Sequence, residues 1–216
     1  FAALLLRAVL SPSKNSVTPA SRDIEKSVVT RYPYRDPQYM VFVAFTILFG
    51  CMFFQIFSTL PVYYSEVMHL SPNSIGAVMA FSGLLITFFE MAIVFKLEQK
   101  NRNLEIISIG VLLIGLSYVL FNLLTGGMLL ALAAAAILTL GEMMSMPFMN
   151  YFWVSRTDST NRGQYAGFYT VAWSTAQIVG PFVGSQIVQH PGFHTLWWAI
   201  GGLSLSMALG IRWLSK

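Results

Sequence analysis

Two carboxylic acids stand where carboxylic acids are rare. Glu90 lies in the stretch LITFFEMAIV and Glu142 in LTLGEMMSMP, and neither stretch contains a lysine or arginine. An acid at the centre of a bilayer costs about 2.5–3.5 kcal/mol on insertion scales, so such residues usually face a cavity or a partner. A poorly solvated carboxyl favours its protonated form, and it can take up and release a proton as its surroundings change. The chemistry expected of Glu142 and Glu90 is therefore proton binding and release. The other reading is a hydrogen-bonded carboxyl that fixes helix packing. Glu90 lies only about two helical turns from the basic stretch that follows it, so it could also reach towards that end.

Further polar and aromatic residues recur at helical spacing. Gln55, Thr59 and Tyr63 follow i, i+4, i+8; Glu142, Met146, Asn150 and Trp153 share one face; Tyr165, Tyr169, Trp173 and Gln177 make a strict i+4 run. An aromatic face with a few polar groups suits a hydrophobic or cationic small molecule. Gln55, Thr59, Tyr63, Asn150, Tyr169, Trp173 and Gln177 are thus the candidates for a substrate cavity. An enzyme is not indicated. The three histidines, His69, His190 and His194, fall in loops, and neither Gly-x-Ser-x-Gly nor His-Glu-x-x-His occurs. The single cysteine, Cys51, sits in an apolar run, which suits a small buried hydrophobe and offers neither a disulfide nor a metal site.

The elements that must carry these residues are spanning helices. Hydrophobic residues make up 56% of the 216, and charged residues 10%, against about 25% charged in a soluble domain. The apolar residues fall in six continuous runs, at 38–64, 74–95, 104–124, 128–154, 163–188 and 195–214. Each is long enough to cross roughly 30 Å of hydrocarbon as a helix. Their continuity excludes the alternating strands of a membrane barrel. The fold class expected is an all-α integral membrane bundle of six transmembrane helices over 38–216. Ahead of it, residues 11–37 are polar and proline-rich and read as a linker. Residues 1–10, FAALLLRAVL, read as the end of a truncated preceding helix, too short to span and without the order of a signal peptide.

The loops orient the bundle. All thirteen Lys and Arg fall at one set of ends: Arg7, Lys14, Arg22, Lys26, Arg31 and Arg35 before the first run; Lys96, Lys100 and Arg102 between the second and third; Arg156 and Arg162 between the fourth and fifth; Arg212 and Lys216 at the tail. The other three loops have none. The positive-inside rule then puts the linker and the C-terminus in the cytoplasm of a multi-pass protein of the cell (inner) membrane. The formal charge of +4 is spread over short loops and forms no stripe that would take nucleic acid.

The fifth run carries the most specific pattern, GFYTVAWSTAQIVGPFVGS from Gly167. It resembles the antiporter motif of the major facilitator superfamily, G-x8-G-x3-G-P-x2-G-G. Gly167, Gly180, Pro181 and Gly184 match, while Ala176 and Ser185 stand where the family has glycine. The second-to-third loop, VFKLEQKNRN, resembles the family's G-x3-D-R-x-G-R-K loop, with Glu98 at the acidic position and Arg102 at a basic one. The GEMMSMPF run and the RGQYAGFY start are similar to bacterial drug-efflux-type members. In that family the two halves are repeats, with the substrate between them and helices one, two, four and five of each half around the cavity. The resemblance implies the C-terminal six-helix half of a secondary transporter. Its partners would be a small-molecule substrate, the lipid bilayer and the missing N-terminal half, and its driving force a proton gradient with no cofactor. Proton-coupled efflux by alternating access is the function implied. A permease-like sensor or regulatory subunit is the alternative, with an intramembrane enzyme behind it. The Gly180-Pro181 region reads either as a packing kink or as a flexing element. Arg156 and Arg162 read either as plain positive-inside charges or as a latch to the Glu98–Arg102 loop.

Overall fold

The first and second apolar runs each open on a side-chain cap followed by a proline, Asp36-Pro37 and Ser71-Pro72. The computed structural model describes residues 32–99 and 102–214. The expected helix end over 1–10, the linker up to residue 31, Lys100 and Lys216 lie outside them. A 3-10 turn, Pro33–Arg35, leads into α1, Pro37–Phe53. The Asp36 carboxylate caps α1 by accepting from the Tyr39 amide at 3.1 Å, and Pro37 occupies the first turn. α2 is Thr59–Glu66 and α3 is Pro72–Glu98, which starts on the Ser71 cap and Pro72. Then come α4, Asn103–Leu123; α5, Met128–Val154; α6, Arg162–Gln189; and α7, Phe193–Leu214. No strand occurs among the described residues. α1 and α2 continue one another as one 30-residue span, Pro37–Glu66, so the architecture is the all-α six-span bundle expected.

Four spans, Pro37–Glu66, α3, α4 and α5, are long and apolar enough to cross a membrane by length and composition. α6 and α7 have the length, at 28 and 22 residues. Gln, Ser and Thr along α6, and Gly, Ser, His and Trp along α7, lower their apolarity.

The first span is not the continuous helix its apolar run suggests. It breaks at a 3-10 turn, Phe54–Ile56, where the Phe57 amide donates to the Phe54 carbonyl at 3.2 Å and the Ser58 amide to that of Gln55 at 3.3 Å. Pro61 is the cause within reach. It has no N–H to donate to the Phe57 carbonyl, and its ring crowds that carbonyl. Lipid offers no replacement donors, so the protein supplies them. The Gln55 carboxamide donates to the Cys51 carbonyl at 2.9 Å, the Tyr118 hydroxyl to Met52 at 3.2 Å and the Ser58 hydroxyl to Phe54 at 3.0 Å.

α4 is the centre of the packing, against α5 on one side and α7 on the other. Small residues set how closely these helices approach. A Cβ on Gly141 of α5 would lie 2.6 Å from the Gly110 carbonyl of α4, and one on Gly115 would strike Ser204 of α7. α6 packs on α1. α3 stands apart: it touches α5 and buries only Val78. Leu84, Phe88, Phe89, Met91 and Phe95 along it are uncovered by the chain.

Candidate functional site

Between the broken first span, α3 and α5 lies a cavity of about 360 Å³. Phe53, Phe57 and Tyr64 line it from the first span, Met79 and Ser82 from α3, and Glu142 and Met146 from α5. Glu142 is the one charged residue in the lining, and only 9% of it is exposed. Its position follows from its neighbour in sequence. Gly141 is pressed onto the α4 backbone, and one residue on, about 100° around the helix, Glu142 is turned away from α4 towards the cavity. The Tyr64 hydroxyl is buried and has no hydrogen-bond partner among the described residues. Glu90 of α3 is half-buried and is not among the residues that line the cavity. An apolar chamber with one carboxyl and one free hydroxyl can hold a small apolar molecule by its surface and one polar or cationic group by charge. No metal-binding group of three or more His, Cys, Asp or Glu occurs among the described residues.

The other cavity candidates do not line this chamber. Gln55 and Thr59 turn to α6: the Gln55 carboxamide donates to the Gly180 carbonyl at 2.8 Å and accepts from the Thr59 hydroxyl at 2.8 Å. Tyr63 turns to α4 and α7, donating to the Phe121 carbonyl at 3.3 Å and packing on Phe193 and Trp197. The i, i+4, i+8 alignment of these three assumed an unbroken helix. Residues in a 3-10 turn advance about 120° each instead of 100°, so the break moves Tyr64, not Tyr63, into the cavity wall. Tyr169 and Trp173 pack on the first span, on Phe42 and on Phe49, Phe53 and Phe54 respectively. Asn150 accepts from the Trp153 indole at 2.9 Å and, like Gln177, is exposed.

The glycine motif divides in two. A Cβ on Gly180 would lie 2.9 Å from the Cys51 Cα, and one on Gly184 would collide with the Gln55 carboxamide. Both therefore seat α6 on the break, while Pro181 lies inside the continuous α6. Gly167 has open space around it. Ala176, at a family glycine position, is accommodated by Gly50 on the facing helix, where an added Cβ would meet the Ala176 methyl.

At the linker end, Arg156 meets Asp36 at 2.9 Å and donates to Gln38 at 2.6 Å, with its guanidinium 4.6 Å from the Phe152 ring centre. The Tyr165 hydroxyl reaches the same Asp36 oxygen at 3.4 Å. The latch partner of Arg156 is thus the start of the first span, not the second-to-third loop. Arg102 pairs with Glu105 within its own helix start at 3.3 Å, and Glu98 and Arg162 are exposed. Sequence reading missed Asp36, Tyr64 and the break. Asp-Pro as a helix start and Pro61 inside an apolar run were the available signals.

Comparison with known proteins agrees with this architecture. The model of the Major Facilitator Superfamily matches residues 1–177 and 102–216. The uncharacterized MFS-type transporter YttB of Bacillus subtilis (strain 168) is 24% identical over 157 residues, covering 68% of this chain and 37% of that protein. The crystal structure of a POT family transporter in complex with 5-aminolevulinic acid shares the fold, with a TM-score of 0.69 at 20% identity over 83% of this chain and 41% of that one. The chain therefore spans about two fifths of the length of each relative. That family is one of transporters, not enzymes, and this multi-pass helical chain belongs to the Major Facilitator Superfamily.

Proposed function

We propose that this chain is the C-terminal half of a secondary transporter that exports a small molecule by alternating access, driven by protons. The observation that carries the reading is Glu142, a buried carboxyl in the wall of an apolar chamber. A carboxyl so placed changes its proton occupancy when water, substrate or a second charge reaches it. That is the property a proton-coupled cycle needs at its centre.

The half-transporter reading is supported by α3. An apolar helix with a single buried residue is left bare where a second bundle would cover it. Glu142 is the first candidate for the coupling proton and Glu90 the second. Asn150, Tyr169, Trp173 and Gln177 remain candidates for substrate contact on the α5–α6 side. Gly180, Pro181 and Gly184 are proposed as the conformational element. Every Lys and Arg lies at the linker end of a helix or in the segment before α1, which supports a cytoplasmic linker and C-terminus in the cell (inner) membrane. The proton gradient is the proposed energy source, without a cofactor.

The test is transport by the full-length protein in inverted membrane vesicles, screened against a panel of apolar and cationic dyes with and without a proton gradient. Glu142→Gln, which keeps shape and loses the titrating group, is expected to abolish gradient-driven accumulation. Unchanged gradient-driven accumulation in that variant removes Glu142 as the coupling group.

A further inference from the structure

The carboxamide of Gln55 has every one of its groups in use. Its nitrogen donates to the Cys51 carbonyl at 2.9 Å and to the Gly180 carbonyl at 2.8 Å, and its oxygen accepts from the Thr59 hydroxyl at 2.8 Å. These three partners belong to the end of α1, the middle of α6 and the start of α2. Gln55 is 3% exposed and Thr59 5%. The site is built around this side chain: an added Cβ at Gly184 would collide with the carboxamide, and one at Gly180 would press on the Cys51 backbone.

We infer that Gln55 is a positioning residue that locks α2 to α6 across the break in the first span, so that the cavity wall carried by α2 moves with the glycine-proline motif as one body. The inference rests on the alternating-access reading above. The break interrupts the regular helix, since two 3-10 bonds replace the α-helical ladder there. α2 carries Leu60 and Tyr64 into the cavity wall. Without a tie, that short helix could swing on its joint without moving α6. The amide nitrogen holds the end of α1 and the middle of α6, and its oxygen holds Thr59 at the start of α2, so the joint is closed from both sides. A carboxylate in its place has no donors and a leucine has neither donors nor acceptor, so neither can make the bridge. In an environment without water each of these carbonyls would lose a donor that lipid cannot replace, which gives the tie its strength.

The experiment is pulsed electron paramagnetic resonance on the full-length protein in lipid nanodiscs, with native cysteines replaced. Nitroxides at Val62 on α2 and Val171 on α6, both exposed, read the joint. A second pair at Leu123 on α4 and Leu209 on α7, also exposed, reports whether the bundle is intact. The wild type is expected to give one narrow α2–α6 distance at acid and at alkaline pH. Gln55→Leu is expected to split it into two populations while the α4–α7 distance stays unchanged. An α2–α6 distance in Gln55→Leu identical to wild type, with the bundle intact, overturns the inference. So does a wild-type α2–α6 distance that itself shifts with pH. Should Gln55→Leu lose the α4–α7 distance, Thr59→Val decides: it removes one hydroxyl of the network at constant shape, and a broadened distance supports the tie while a wild-type distance refutes it. The vesicle assay with Glu142→Gln tests the transport reading separately: unchanged gradient-driven accumulation there removes Glu142 as the coupling group, and the Gln55 comparison still stands.

Discussion

At the scale of single residues, polar side chains in this chain are placed by partners far away in sequence. Asp36 shows it most plainly. It caps α1 through the Tyr39 amide and holds Arg156 at 2.9 Å, while being 7% exposed itself. Asp36→Ala removes the cap and leaves Arg156 without its carboxylate. The expected loss is about 1–3 kcal/mol of stability, read as a lower thermal unfolding midpoint of the purified full-length protein. Asp36→Asn, which keeps the cap acceptor and loses the charge, should lower the midpoint less. The sequence announced the cap through Asp-Pro, but Arg156 lies 120 residues on and nothing local points to it. Glu142 was legible for the opposite reason. An acid in an apolar run is conspicuous by itself, and its cost in lipid argues for a cavity before any cavity is seen. Tyr63 was misplaced because its assignment depended on helical phase, and one 3-10 turn upstream was enough to exchange it for Tyr64.

At the scale of elements, small residues decide which helices touch. Gly180→Ala would push a methyl against the backbone of Cys51 at 2.9 Å, and backbone cannot step aside as a side chain can. A cost of about 1–3 kcal/mol is expected. Gly202→Ala on α7 meets nothing within 4 Å and should be neutral or slightly stabilising, within about 1 kcal/mol. Paired thermal unfolding of the two variants checks the contrast. If both behave alike, the close contact of α6 with the break is not what Gly180 serves. Spans are easy to read from such a sequence because length and apolarity are set by the bilayer. Contacts are harder, because a glycine facing a neighbour and a glycine facing lipid look the same in sequence. Gly167 and Gly180 illustrate it: both match the same motif, yet only Gly180 meets another helix.

At the scale of the whole molecule, the distribution of burial is lopsided. α4 buries ten residues, α3 one. A chain that ended its packing here would leave Phe88, Phe89, Met91 and Phe95 facing whatever surrounds it. The half-transporter reading makes a direct prediction. Co-expressed as separate chains, this segment and the remainder of the transporter should co-purify, and an aspartate in place of Phe88 should reduce that co-purification. Equal recovery with and without the aspartate argues that α3 faces lipid throughout. Six helices and their order were readable from hydropathy and loop charge. Which of them stay bare was not, because apolar residues serve a lipid neighbour and a protein neighbour equally well.

The contrast between α3 and α6 also bears on biosynthesis. α3 is apolar on nearly every side, so it is at home in lipid as soon as it leaves the ribosome and can wait there for its neighbours. α6 falls below the apolarity of an independent span, and its main neighbour, α1, is made more than a hundred residues earlier. α6 is therefore expected to settle in the bilayer only where α1 is still at hand. On that account, the order in which the helices are released into the bilayer is written into the uneven apolarity of the spans.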